Sequence, residues 1–113
     1  NYKVMGFTKS VEMIELSDLA KKKRIQLILD LGCGVIADFK KFNMPYEPMV
    51  QSYIKSGASV VSFSGDKLLG GPHSGIICGK KKLIQKLHKN TLYSALRSDK
   101  FTADQLLLEA YAQ

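Results

Sequence analysis

The stretch RIQLILDLG, residues 24–32, decides the fold class of this chain. Its apolar side chains form an almost continuous run: Ile25, Leu27, Ile28 and Leu29. A run of this length and composition is typical of a strand that is buried on both faces within a parallel sheet. We therefore predict a buried strand that ends at Asp30 and Gly32.

Helical and extended patterns alternate on both sides of this strand. The spacing of apolar residues and the stop signals predict helices over 10–23, 46–57, 80–90 and 102–113. Short apolar runs predict strands over 2–7, 58–64 and 74–79. This alternation predicts an α/β fold with a mostly parallel sheet and flanking helices.

The composition is that of a globular protein, with 45% apolar and 24% charged residues. A length of 113 residues corresponds to one folding unit or to a piece of a larger one. No apolar run approaches membrane-spanning length, and the first residues lack a signal-peptide pattern, so we expect a cytoplasmic protein that does not enter a membrane. Cys33 and Cys78 lie far apart without a neighbouring ligand pattern, which predicts reduced thiols and no metal site.

The formal net charge of +7 comes from fifteen lysines and two arginines against ten acidic residues. Such an excess attracts polyanions, and nucleic acid is the first candidate. The basic runs at 21–24 and 80–82 also flank predicted helices, where lysines solvate the surface and complement the helix dipole. The charge alone therefore leaves RNA binding and ordinary solvation both open.

The second informative stretch is SFSGDKLLGGPHSG, residues 62–75, where a single lysine, Lys67, lies between Ser-Gly-Asp and a pair of glycines. Ligands of α/β proteins bind at the carboxyl ends of the strands, where Asp30 and Ser64 are both expected. A lysine amine forms a Schiff base with the aldehyde of pyridoxal phosphate (PLP), and a carboxylate pairs with its protonated ring nitrogen. A serine hydroxyl can hold the phosphate, and glycines let the backbone approach the cofactor. These residue types favour a PLP site, although a lone aspartate is more commonly a cap and a loop lysine a solvated surface group.

Three motifs carry a resemblance to a known family: DLGCG at 30–34, FSGDKLLGGPHSG at 63–75 and ALRSDK at 95–100. They resemble the bacterial selenocysteine synthases, the L-seryl-tRNA(Sec) selenium transferases, which are fold-type-I PLP enzymes. The opening NYKVMGFT is similar as well, so the resemblance covers essentially the whole chain. It implies conversion of seryl-tRNA(Sec) into selenocysteinyl-tRNA(Sec), with selenophosphate as the selenium donor and PLP as the cofactor.

The resemblance also implies roles for individual residues. Lys67 is expected to carry PLP and to act as the base at the substrate Cα, while Asp66 steers proton transfer. Asp30 is expected to face the pyridine nitrogen, and Ser64 to lie near the phosphate. Arg97 matches an arginine expected to bind the anionic selenophosphate, for which a planar guanidinium is well suited.

Members of the family are several times longer than this chain. The resemblance therefore implies that residues 1–113 form the C-terminal half of the large PLP-binding domain, without the N-terminal tRNA-binding region and the C-terminal small domain. We expect the isolated 113 residues to be inactive and not to form a stable monomer, because apolar strands require covering layers. The family builds its active sites between subunits, which implies a homo-oligomer.

Three positions depart from the family pattern. Ser94 replaces a second arginine three residues before Arg97, which predicts weaker binding of selenophosphate. Cys33 replaces the serine of DLGSG, and His73 replaces the common glutamine after Gly-Gly-Pro. His73 is either a proton carrier at physiological pH or a turn residue.

Two alternative functions are compatible with the sequence. A related PLP-dependent lyase acting on an amino sugar acid or a small amino acid shares the lysine motif, and Ser94 leaves room for that activity. An inactive remnant that serves as an oligomerisation or binding module is favoured by the missing segments. The presence of Lys67, Asp30 and Ser64 together argues against such decay.

Overall fold

The computed structural model describes residues 6–112 and confirms the α/β class. The elements in chain order are α1 (Met13–Lys23), β1 (Ile28–Cys33), a 3₁₀ helix (Phe39–Phe42), α2 (Val50–Lys55), β2 (Val60–Ser64), β3 (Gly75–Gly79), α3 (Lys81–His88), α4 (Thr91–Leu96) and α5 (Lys100–Ala112). The strand predicted over 2–7 falls mainly on residues 1–5, which lie outside the described residues.

The sheet formed by the described residues has the strand order β1-β2-β3. β1 and β2 are parallel, with Ile28 opposite Val60. β2 and β3 are antiparallel, with Val61 opposite Cys78, so the sheet is mixed and not mostly parallel as predicted. The physical reason is the connection over residues 65–74, because a crossover that returns a strand in parallel takes about a dozen residues or more.

Among residues 6–112, β1 is covered on one face only, which corrects the prediction of a strand buried on both faces. Leu29 and Leu31 pack against the core, whereas the alternate residues Ile28 and Asp30 are exposed. This alternation is typical of a strand with one solvated face. Asp30 is the third residue of β1 and not its last, because the pairing with β2 continues to Cys33.

The core lies on the opposite face of the sheet from Asp30. Its buried residues are Val50, Ala58, Val61, Phe63 and Leu69. Val61 is fully buried in β2, and burial of such a side chain contributes about 1.5–3 kcal/mol. Leu69 belongs to the connection between β2 and β3, so the core anchors the segment that carries Lys67, and Leu106 of α5 packs against the same cluster.

A residue with positive φ follows the end of α1 and of α2. Gly57 follows α2 with a φ of +110°, which confirms its prediction as a helix stop. Arg24 ends α1 with a φ of 56°, and its backbone N–H donates to the carbonyls of Ala20 and Lys21. Left-handed φ is common for glycine and uncommon for arginine, so α1 has an unusual C-terminal cap. None of the helices among residues 6–112 is long and apolar enough to cross a membrane.

Candidate active site at the carboxyl ends of β1 and β2

Asp30 is held by a serine on the neighbouring strand. Asp30 and Ser62 lie opposite each other in the parallel pairing of β1 and β2. The Ser62 hydroxyl donates to Asp30 Oδ1 at 2.6 Å. Among the described residues nothing donates to the second carboxylate oxygen, Oδ2. The serine therefore fixes the orientation of the carboxylate and leaves one oxygen for a ligand.

Ser64 and Lys67 lie just beyond this pair. Ser64 ends β2 two residues after Ser62, and side chains two apart on a strand point to the same face. Lys67 follows in the connection to β3 and is exposed. Within residues 6–112 its amine makes no hydrogen bond or ion pair, so the amine is available for chemistry.

The segment that carries Lys67 is closed by backbone hydrogen bonds. Gly65 N–H donates to the Ser74 carbonyl at 2.9 Å, and Gly71 N–H donates to the Gly65 carbonyl at 2.8 Å. A tighter turn forms inside this closure, where Gly70 N–H donates to the Lys67 carbonyl at 2.9 Å. Lys67 therefore lies on a braced turn between two strands and not on a loose loop.

The glycines of this segment are explained by packing and by backbone conformation. A Cβ on Gly65 or on Gly71 would lie 2.7 Å from Cδ2 of Leu106, so α5 occupies the space that a side chain would need. Gly70 adopts a φ of +78°, which favours glycine. The sequence predicted these glycines for another reason, which is that they let the backbone approach a cofactor closely. That explanation stays a prediction.

Asp66 and His73 form a carboxylate–imidazole pair next to Lys67. His73 Nδ1 and Asp66 Oδ2 are 2.5 Å apart. The hydrogen bond with His73 lowers the pKa of the Asp66 carboxyl below its ordinary value, against an opposing effect of burial, and the charges of His73 and Lys67 lower it further. The bond at Nδ1 leaves Nε2 of an otherwise exposed ring open to solvent and ligands. His73 is thus the partner of Asp66, a role that sequence reasoning did not assign.

Replacing His73 with alanine is expected to raise the pKa of Asp66 towards its ordinary value. The pKa of Asp66 is lower in the folded state than in the unfolded state, so its ionised carboxylate stabilises the folded state at pH values above the ordinary aspartate pKa. This stabilisation is lost as the pH falls through the lowered folded-state pKa. Carbon-13 NMR of the aspartate carboxyls measures the change. His88→Ala is the matched control because His88 contacts the Tyr93 ring and forms no ion pair with a carboxylate within the described part of the chain. An unchanged titration of Asp66 in His73→Ala would show that the pair has no electrostatic consequence.

Comparison with known proteins decides the family. The family model named SelA, L-seryl-tRNA selenium transferase, matches residues 1–112. The chain belongs to the L-seryl-tRNA selenium transferase family. The resemblance read from the DLGCG, FSGDKLLGGPHSG and ALRSDK motifs is thereby confirmed.

Curated relatives named L-seryl-tRNA(Sec) selenium transferase agree with this assignment. The protein of Carboxydothermus hydrogenoformans is 50% identical over 106 residues, which cover 94% of this chain and 23% of that relative. The protein of Clostridium botulinum strain Loch Maree is 51% identical, with 90% and 22% covered. That of Alkaliphilus metalliredigens is 50% identical, again with 90% and 22% covered. The chain therefore spans less than a quarter of the length of these transferases.

A solved structure titled as D-glucosaminate-6-phosphate ammonia-lyase has the same fold. It superposes with a TM-score of 0.64 at 23% sequence identity, and the match covers 91% of this chain and 24% of that chain. At this identity the likeness shows that the selenium transferase family and this lyase share the fold of this region.

The selenium transferase motif ALRSDK places Arg97 at the end of α4. Arg97 N–H donates to the Tyr93 carbonyl at 2.8 Å, so its backbone closes the last helical turn, and Ser94 lies one turn earlier. Both side chains are exposed. No hydrogen bond or ion pair among residues 6–112 joins Arg97 to Asp30, Ser64 or the Asp66–His73 pair. The structure thus places Asp30 beside Ser62 in the pairing of β1 and β2, Ser64 at the end of β2, and Lys67 in the connection that follows.

Proposed function

We propose that the protein to which this chain belongs converts seryl-tRNA(Sec) into selenocysteinyl-tRNA(Sec), with selenophosphate as the selenium donor and PLP as the cofactor. The observation that carries the proposal is the family match over residues 1–112. The named relatives, at 50–51% identity, favour this reaction over that of the lyase at 23%. In this proposal residues 1–113 are the C-terminal half of the large PLP domain, in a homo-oligomer whose other parts bind the tRNA.

The donor set on β1, β2 and the following connection fits PLP. Asp30 offers a carboxylate oxygen without a described partner to a protonated ring nitrogen, and Ser62 holds that carboxylate in place. Ser64 offers a hydroxyl to a phosphate from the same face of β2. Lys67 offers an amine without a described hydrogen bond for attachment to the aldehyde. When bound, PLP supplies an electron sink for negative charge that develops at the substrate Cα.

Side chains of this chain carry out proton transfer and binding of the selenium donor in this proposal. With PLP bound, the amine of Lys67 would serve as the base that takes the proton from the substrate Cα. Asp66 stays ionised through its bond with His73 and holds the charge of the neighbouring Lys67 as protons move. Arg97 binds the selenophosphate anion through its guanidinium.

The test is an assay of the intact protein with seryl-tRNA(Sec) and selenophosphate. The protein is stripped of PLP with hydroxylamine, assayed, and assayed again after PLP is restored. We expect selenocysteinyl-tRNA(Sec) to form only with PLP present. Formation of pyruvate or ammonia from free amino acids, without any aminoacyl-tRNA product, would reject the transferase proposal in favour of a lyase.

Substituting Ser94 with arginine is expected to tighten selenophosphate binding. Position 94 lies one helical turn before Arg97, so a second guanidinium can grip the same compact anion. An additional charge-assisted hydrogen bond contributes about 1.5 kcal/mol, or roughly tenfold in KM for selenophosphate. Ser98→Arg adds the same charge next to Arg97 but not one turn before it, and is the matched control. Equal KM values in Ser94→Arg and Ser98→Arg would reject the two-arginine clamp.

A further inference from the structure

A cavity lies at the amino ends of β1 and β2, opposite the end of β2 that leads to Lys67. It has a volume of about 450 Å³, which is within the usual range for small-molecule sites. The residues around it are at the C-terminal ends of α1 and α2 and just before β1 and β2, including Ile25 and Ile54. Lys80, directly after β3, also lines it. Since Lys67 follows the carboxyl end of β2, the cavity is separate from the candidate active site.

A buried hydroxyl without a hydrogen-bond partner lines this cavity. Ser17 of α1 is 1% exposed, and its Oγ has no partner among the described residues. Gly57 lies against it, and a Cβ at that position would collide with the hydroxyl. A buried polar group without a hydrogen bond is unfavourable, so a ligand atom that accepts from Ser17 would remove this cost.

The charges around the cavity are all positive. Lys21, Arg24 and Lys80 line it, and no acidic residue is among the described lining residues. Asp18 makes an exposed ion pair with Lys21 at 3.4 Å and does not line the cavity. The left-handed cap at Arg24 ends α1 at the cavity. Three cations, of which Lys21 is shared with Asp18 outside the cavity, and a hydroxyl donor form a set that recognises an anion.

We propose that this cavity binds a phosphate group carried on a nucleotide-sized ligand. Arg24 supplies a fork of N–H donors to the phosphate, Lys21 and Lys80 supply charge, and Ser17 donates its unpartnered hydroxyl. The aliphatic side chains of Ile25 and Ile54 face the organic part of the ligand. The cavity is larger than a bare phosphate requires, which is why the ligand class includes that organic part. The phosphate belongs either to a free nucleotide or to one nucleotide of an RNA strand.

The test titrates the intact protein, saturated with PLP so that the cofactor site does not contribute, by calorimetry. The ligands are AMP, inorganic phosphate and a short oligoribonucleotide. We expect AMP to bind and Arg24→Gln to weaken it by about tenfold, as for loss of one charge-assisted contact. Lys41→Gln is the matched control, because it removes one exposed positive charge outside the cavity. No binding of AMP or of the oligonucleotide, or equal weakening by both substitutions, would overturn the proposal.

Ser17→Ala provides a second, independent measurement. It removes the unpartnered hydroxyl, so the thermal midpoint of the unliganded protein is expected to stay the same or rise while AMP binding weakens. Weaker folding together with unchanged AMP affinity would show that Ser17 is only a packing residue and would overturn its role. An oligonucleotide that binds much more tightly than AMP, with a steep salt dependence, identifies RNA as the source. Comparable affinities for AMP and the oligonucleotide identify a free nucleotide as the source. If inorganic phosphate binds as tightly as AMP, the cavity does not contact the organic part of the ligand.

Discussion

Replacing Lys67 with alanine is expected to abolish covalent attachment of PLP and to lower formation of selenocysteinyl-tRNA(Sec) by about 10³-fold, within the range for loss of a positioned acid–base group. The amine is exposed on a braced turn next to Ser64 and makes no hydrogen bond or ion pair among residues 6–112. Alanine removes both the attachment point and the base, while the turn is preserved because Leu69 still anchors it in the core.

Borohydride reduction of the PLP-loaded intact protein, followed by peptide mapping, measures the attachment. The label is expected on the peptide that contains Lys67 and to be absent from Lys67→Ala. Lys82→Ala is the control, because it removes an exposed lysine from α3 and should retain both label and activity. A label spread over the surface lysines with no preference for Lys67 would reject the assignment. Unchanged thermal midpoints in both variants separate chemistry from folding.

The strands and most helices were predictable because their patterns are local. The run before Ser64 lies in β2, and Gly57 follows a helix as expected. The run before Asp30 predicted β1 with shifted bounds, since the strand begins at Ile28 and continues to Cys33. α4 and the 3₁₀ helix were not predicted, since each is shorter than two helical turns and shows no period. Asn90 was an available signal for α4, because its side chain accepts from Leu92 N–H at 2.9 Å as a helix cap.

The partners of the candidate site residues were not predictable, because they depend on strand register. Ser62 is adjacent in sequence to Val61 and Phe63 and reads as a polar residue on the solvated face of a strand. Only the pairing that sets Ser62 opposite Asp30 shows that it orients the carboxylate. The Asp66–His73 pair was not predictable from the sequence either. Its two residues meet only because backbone hydrogen bonds close the connection between β2 and β3.

The largest loss of stability is expected from Gly79→Ala at the end of β3. A Cβ on Gly79 would collide with the backbone carbonyl oxygen of Ser59 and would lie 2.8 Å from Cα of Val60. These are backbone atoms at the start of β2 and just before it, and they cannot move aside as a flexible side chain can. Gly79 also has a φ of +154°, outside the range that alanine favours. We expect the free energy of unfolding to fall by about 3 kcal/mol, as for severe overpacking.

Gly75→Ala is the matched control for this prediction, because it makes the same change at the other end of β3. A Cβ on Gly75 meets nothing within 4 Å, so alanine there is expected to be neutral or slightly stabilising by restricting the unfolded chain. At Gly79 the collision also disrupts the bond from Lys80 N–H to the Ser59 carbonyl, 2.9 Å long, and pushes away the start of β2, the strand that leads to Ser64 and Lys67. Urea unfolding of the two variants of the intact protein measures the difference. Equal midpoints would show that β3 can shift to accept a side chain at position 79, and PLP attachment would then be expected to survive in both.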